Sequence, residues 1–131
     1  MNTLEKDFVN YNQALEMNAL GFNEPCFGRY DGKGNNKGKL WYEMPNSGQD
    51  TIPVGDVLAP TFSQAFRFFR DKKGLHVIYT KGVDWNNYYW QIWRNDTMTK
   101  TYVCSSDYVY DTYEEAEIDC LDKLIEIAKN R

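Results

Sequence analysis

The chain has 131 residues and a mass of 15.4 kDa, enough for a single domain spanning residues 1–131 and too little for several catalytic modules. Hydrophobic residues make up 42% of it and aromatic residues 16%, which supplies a core and excludes a predominantly disordered polymer. Asp and Glu number 19 against 15 Lys and Arg, so the net charge of -4 gives no general attraction to a nucleic-acid backbone, and nucleic acid is not the expected partner.

The first predicted element is a helix beginning near Tyr11. Asn10-Tyr11-Asn12-Gln13-Ala14 has the form capping residue, aromatic, any residue, Gln or Glu, alanine, and the same form recurs at equal spacing in Thr61-Phe62-Ser63-Gln64-Ala65 and Thr112-Tyr113-Glu114-Glu115-Ala116. The first side chain accepts from an unpaired amide of the opening turn, and the Gln or Glu three residues on reaches back to the cap amide. The two Thr copies read as full capping boxes and Asn10 as a variant. Equal spacing is compatible with an internal duplication and equally with coincidence, so it serves here only to place helices. Gly21-Phe22 supplies a stop for the first helix, a glycine in the left-handed closing position followed by an apolar residue.

Two strand signals follow, Cys26 to Tyr30 and Lys39 to Glu43, on either side of the polar, glycine-rich stretch Asp31 to Gly38. Gly32-Lys33-Gly34 and Gly38-Lys39 have a superficial likeness to phosphate-cradling loops. Such a loop must pass from a strand into a helix, whereas this one returns into a strand, so a hairpin turn is expected. Pro45 to Asp56 is polar and reads as a long, mobile connection. The second helix starts near Phe62 and ends at Gly74-Leu75. It carries Arg67 and Arg70, spaced to share a face that could hold an anion, with Lys72 and Lys73 at the negative end of the helix dipole.

Beyond it come strands at Leu75 to Thr80 and Tyr88 to Arg94, a turn around Lys81 to Asn87, and a further strand at Thr101 to Cys104. The third helix runs to the C-terminus with Tyr113, Ala116, Cys120, Leu121, Leu124, Ile127 and Ala128 on one apolar face. The expected fold is α+β, an antiparallel sheet of four to five strands with three helices on one face, in the order α-ββ-α-ββ(β)-α.

Four groups of residues are candidates for chemistry. His76 is the single histidine, and with Cys26, Cys104 and Cys120 scattered and lacking C-x-x-C spacing there is no recognisable zinc pattern; no metal or other cofactor is expected. A nucleophile built from Cys104 or Cys26 with His76 would depend on the fold alone, and the expectation is no enzyme. The carboxylates Asp107, Asp111, Glu114, Glu115, Glu117, Asp119 and Asp122 read as a solvated face near the third helix, several of them suiting the positive end of its dipole, or as an acidic surface for a basic partner. The densest signal is Tyr88 to Arg94, where alternation puts Tyr88, Trp90 and Ile92 on one face and Tyr89, Gln91 and Trp93 on the other. The second face is either packed by another layer or is a recognition surface, which Trp41 and Trp85 could extend.

Ala14 to Tyr30, with Leu-Gly-Phe-Asn-Glu-Pro-Cys-Phe, Ala59 to Leu75, with Ala-Pro-Thr-Phe-Ser-Gln-Ala-Phe-Arg, and Thr112 to Ile127 resemble small uncharacterised proteins of phages and mobile elements of gut anaerobic bacteria. The likeness covers about half of the chain. That group has no assigned activity, so no residue role is carried over; the resemblance implies a bacterial cytoplasm and an accessory or regulatory role. An odd cysteine count suits the same reducing compartment, and Met1 to Asp7 lacks the basic-then-apolar pattern of a secretory leader. The first functional expectation is a binding module that engages a protein partner, or a second copy of itself, through Tyr89, Trp93, Trp41 and Trp85. The second is sequestration of a small anionic or nucleotide-like ligand, with a ring stacked on a base and Arg67 or Arg70 meeting phosphate.

Overall fold

The computed structural model describes residues 5–42, 46–81, 87–95 and 99–130. It is α+β, with three helices and two three-stranded antiparallel sheets, and it divides into two compact units, Met1–Ala65 and Phe66–Arg131. The order is α1 (Tyr11–Ala19), β1 (Gly28–Tyr30), β2 (Leu40–Trp41), β3 (Val57–Ala59), α2 (Phe62–Lys73), β4 (Leu75–Lys81), β5 (Tyr88–Asn95), β6 (Lys100–Ser105) and α3 (Tyr113–Lys129). The expected single sheet of four to five strands is therefore corrected to two sheets. β3 is the strand that was missed; its three residues are all buried, so it shows no alternation.

In the first unit β1 lies between β2 and β3, pairing Arg29 with Trp41 on one side and with Leu58 on the other. The Asp31 to Gly38 stretch is the hairpin connection from β1 to β2, closed by Asp31 N–H to Lys39 O (3.0 Å) and Gly38 N–H to Asp31 O (2.7 Å). Val9, Met17, Phe22, Leu58 and Ala59 are buried here. α1 ends as expected: Gly21 has φ 97°, and Phe22 N–H bonds Met17 O while Gly21 N–H bonds Asn18 O, both at 3.0 Å.

All three helices start where the capping pattern puts them, but the quality of the caps is reversed. Asn10 has the full box, with Gln13 N–H donating to its side chain (2.8 Å) and Gln13 Oε1 accepting from the Asn10 amide (3.0 Å). Thr61 and Thr112 make the forward bond only. Gln64 gives its side-chain amide to Pro25 O, and Glu115 takes the Thr112 hydroxyl proton instead of the cap N–H.

The polar stretch that read as a mobile connection is tied down over its described part, 46–56. Asn46 N–H bonds Cys26 O (2.8 Å), Gln49 N–H bonds Asn23 Oδ1 (2.7 Å), and the Gln49 side chain donates to Asp56 O (2.7 Å). Polar side chains here serve a loop that lacks a core of its own, as buried backbone groups require.

In the second unit β5 is the central strand, flanked by β4 and β6. Its register sets Trp93 opposite His76 and Tyr102, and Ile92 opposite Val77 and Cys104, with an irregularity between Ile92 and Trp93 that leaves Val103 as one extra residue in β6. Trp90 and Ile92 are buried on the side of α3, whose buried stripe is Ala116, Cys120, Leu121, Leu124 and Ile125. Tyr113, expected on that stripe, is 41% exposed and instead packs its ring against Tyr79 and Tyr88. No helix among the described residues is long and apolar enough to cross a membrane.

Candidate functional site

Two regions of the second unit bring functional side chains together, one on each side of the β4–β5–β6 sheet. The first is the face turned away from α3. Alternation and register place His76 and Ile78 of β4, Tyr89, Gln91 and Trp93 of β5, and Tyr102 and Ser105 of β6 on it. Trp93 and Tyr102 pack edge to face with ring centroids 5.4 Å apart. The Trp93 indole N–H donates to Gln91 Oε1 (3.3 Å), and the Tyr102 hydroxyl pairs with Ser105 Oγ across the extra residue of β6. Tyr89 and Trp93 are half-buried, whereas Ile78 and Tyr102 each keep 49% of their surface exposed. The rungs from Tyr89 to Trp93 carry no carboxylate, lysine or arginine on this face; among the described residues the first such charge is Lys100, at the far end of β6 opposite Asn95.

Trp41 belongs to the first unit. It sits on β2 in the first unit, donates its indole N–H to Asp31 Oδ2 (2.8 Å), and has the Lys39 ammonium 4.2 Å and the Arg29 guanidinium carbon 5.5 Å from its ring centre. These contacts explain its position as part of the β1–β2 hairpin. Trp85 lies outside the described residues.

The second region is a cleft of about 280 Å³ on the helix side of the sheet. After β6 the chain returns along β5, with Ser106 N–H bonding Trp90 O (2.9 Å) and Tyr88 and Tyr110 exchanging both backbone bonds at 2.7 Å. This brings the segment 106–110 opposite α3. The aromatic wall is Trp90, Tyr108 and Tyr110; the carboxylates are Asp107, Asp119, Asp122 and Glu126; Lys123 is the one base, 3.4 Å from Glu126. Asp119 Oδ2 accepts from the Trp90 indole N–H (3.1 Å) and from the Tyr110 hydroxyl. Burial pushes the Tyr110 hydroxyl well above the usual tyrosine range, and the bond to Asp119 adds to the effect, so it stays a donor throughout the neutral range. The acidic run legible in the sequence thus separates in space: Glu114 and Glu115 decorate the first turn of α3, while Asp107, Asp119 and Asp122 turn to the cleft.

The arginine pair joins neither region. Arg67 is exposed on α2, Arg70 holds Asp71 at 3.1 Å with both side chains about half exposed, and neither lines the cleft. The cysteines and histidine do not assemble a catalytic pair in this unit, because Cys104 faces α3 and His76 the opposite side of the sheet. His76 Nε2 is buried and makes no hydrogen bond among the described residues. Cys26 and Cys120 are buried as small hydrophobes and Cys104 is partly so; burial raises all three thiols above the ordinary range, which disfavours the thiolate a nucleophile needs. Among the described residues no three His, Cys, Asp or Glu side chains converge on a metal position.

No protein-family model matches the chain, and no curated protein sequence or solved structure matches it.

Proposed function

We propose that the chain is a non-enzymatic binding module that engages a protein partner through the α3-distal face of the β4–β5–β6 sheet. The observation that carries this reading is a sheet with its helix-side face packed and an opposite face rich in rings, without carboxylate, lysine or arginine over its central rungs and half exposed at Ile78 and Tyr102. Tyrosine and tryptophan bring large contact area with few rotatable bonds, which is why such side chains anchor interfaces. A face without carboxylate, lysine or arginine at its centre also suits a second copy of the chain, since two-fold packing sets like against like. The sequence resemblance favours an accessory protein of a phage or mobile element working in the bacterial cytoplasm. The nucleotide-like ligand has less support, because the cleft of the second unit is lined by carboxylates and the arginines stand apart from it.

The test is affinity purification of the tagged chain from its host, with and without nuclease, beside light scattering of the purified protein over a range of concentrations. Both are repeated with Ile78→Glu and Tyr102→Glu combined, whose fold is checked by circular dichroism. A charge placed in the centre of an interface is expected to weaken it by about 2 kcal/mol or more, roughly thirtyfold. A nuclease-resistant partner or a dimer that the double variant loses supports the reading. A monomer without an enriched partner, or a partner held equally by both chains, refutes it.

A further inference from the structure

We infer that the β1–β2 hairpin docks an acidic peptide segment of a partner protein through Lys33, Lys37 and Lys39. The surface belongs to the unit Met1–Ala65 and so goes beyond the face of the β4–β5–β6 sheet.

Local charge is the first observation. From Arg29 to Trp41 the chain has four bases, Arg29, Lys33, Lys37 and Lys39, against the single acid Asp31, although its overall net charge is -4. The two carboxylates that reach this hairpin are already engaged. Asp56 is buried against Arg29 and the Gly32 amide, and Asp31 accepts the Trp41 indole N–H with Arg29 3.6 Å away. Among the described residues none of the three lysine ammonium groups is paired with a carboxylate, and all three lysines are exposed.

Rigidity is the second observation. Gly38 N–H to Asp31 O (2.7 Å) and Lys39 N–H to Asn36 O (2.8 Å) close the connection, and Gly32 packs so tightly on Gly55 that an added Cβ would stand 1.6 Å from its carbonyl oxygen. The lysines therefore leave from fixed backbone positions, which lowers the ordering cost of binding. Trp41 adds to this, because its ring holds the Lys39 ammonium at 4.2 Å by a contact that orients the charge without neutralising it.

Together these features select the partner. Exposed charges are each worth little alone, so three of them favour an extended run of anions over one small ion. Carboxylates suit the surface better than nucleotides. The Trp41 ring is already engaged by Lys39 and Arg29 and is poorly placed to stack a base, and the acidic remainder of the chain repels a long phosphate backbone.

Fluorescence anisotropy of labelled hexaglutamate, hexaglutamine and a thymidylate hexamer, each titrated with the full chain, tests this inference. Hexaglutamate is expected to bind saturably at low salt, hexaglutamine not at all, and the thymidylate at least fivefold more weakly than hexaglutamate. Its affinity should fall severalfold between about 10 and about 100 mM salt, as the screening length shortens from about 30 to about 10 Å. Lys33→Gln, Lys37→Gln and Lys39→Gln combined should weaken hexaglutamate about tenfold, while Arg67→Gln with Lys72→Gln, two exposed positions on α2, should change it less than about twofold. If the triple variant does not fold, Lys37→Gln alone is expected to lose about twofold. No saturable binding of hexaglutamate at millimolar protein, equal binding of hexaglutamine, thymidylate bound as tightly as hexaglutamate, an affinity indifferent to salt, or equal losses in the hairpin and α2 variants overturns the proposal.

Discussion

Alanine at Gly32 should destabilise the first unit far more than alanine at Gly34, although both glycines belong to the same hairpin connection. Gly34 has φ 78° and nothing within 4 Å of where a Cβ would stand, so its substitution costs only the left-handed backbone, roughly 1–2 kcal/mol, partly offset by the lower entropy of the unfolded chain. At Gly32 the obstacle is space. A Cβ there would lie 1.6 Å from the Gly55 carbonyl oxygen and 2.6 Å from its carbon, whereas ordinary C···O contacts begin near 3.3 Å. The two backbone segments must move apart by about 1.7 Å to restore an ordinary contact.

That movement breaks the bond from Gly32 N–H to Asp56 Oδ1 (3.1 Å). Asp56 is only 6% exposed, and its other oxygen is held by Arg29, so a buried carboxylate loses a donor and its ion pair is disturbed. A hydrogen bond to a charged group is worth about 1.5–3 kcal/mol and a disrupted buried pair about 3–5, which sets the expected loss at roughly 3–5 kcal/mol. With a urea slope of about 1–3 kcal/mol/M the unfolding midpoint should fall by around 2 M for Gly32→Ala and by less than half of that for Gly34→Ala. Urea titrations of the two variants beside the parent decide the matter. Equal shifts would refute the claim that close approach, and not backbone conformation, fixes glycine at position 32.

Two further outcomes follow from local geometry. Asn10→Ala should cost about 1–2 kcal/mol and Thr112→Ala about half as much in the same assay, because Asn10 has a reciprocated cap and Thr112 an exposed forward bond alone; the reverse order would contradict the cap assignment. Tyr30 is buried, donates to Val9 O, and has its hydroxyl pushed up to about 12 by burial, with Glu5 adding to the shift. The unfolded phenol loses its proton near pH 10 while the folded one keeps it to about 12, so stability should be full below pH 10 and fall between pH 10 and 12. Urea unfolding across that window should show a shallower fall in Tyr30→Phe, and parallel curves for the two chains would count against the assignment.

The helix starts were legible in the sequence because a cap is a matter of four consecutive residues. Their detailed bonding was not, since Gln64 is drawn away to Pro25, a partner distant in sequence. Both hairpins could be read from alternation and turn composition. The third strand of the first sheet could not, because Val57-Leu58-Ala59 is uniformly buried and its partner β1 lies across the whole of the tied stretch 46–56. The separation of Tyr89 and Trp93 from Trp90 and Ile92 followed from period-two alternation and appears as expected in the register. The cleft had only an indirect signature, the acidic run, because its walls come from β5, β6, the segment 106–110 and α3. What could have marked it was Trp90 beside Asp119 and Tyr110, a triad that only the pairing of Tyr88 with Tyr110 brings into range.

The extra residue in β6 links the two candidate surfaces. Tyr102 and Ser105 point the same way although they are three positions apart, and Cys104 between them points to the cleft. Were Val103 taken into the ladder as an ordinary residue, Tyr102 and Cys104 would share a face, and no single setting could turn Tyr102 toward Trp93 while also turning Cys104 toward α3. Loss of Val103 alone would leave Tyr102 opposite Trp93 and Cys104 opposite Ile92 on consecutive rungs, so the strand would become regular with both sides kept. The bulge absorbs one residue of length, so homologous chains with or without it at this position present the same two surfaces, whereas an extra residue taken into the ladder itself would turn one half of the strand over.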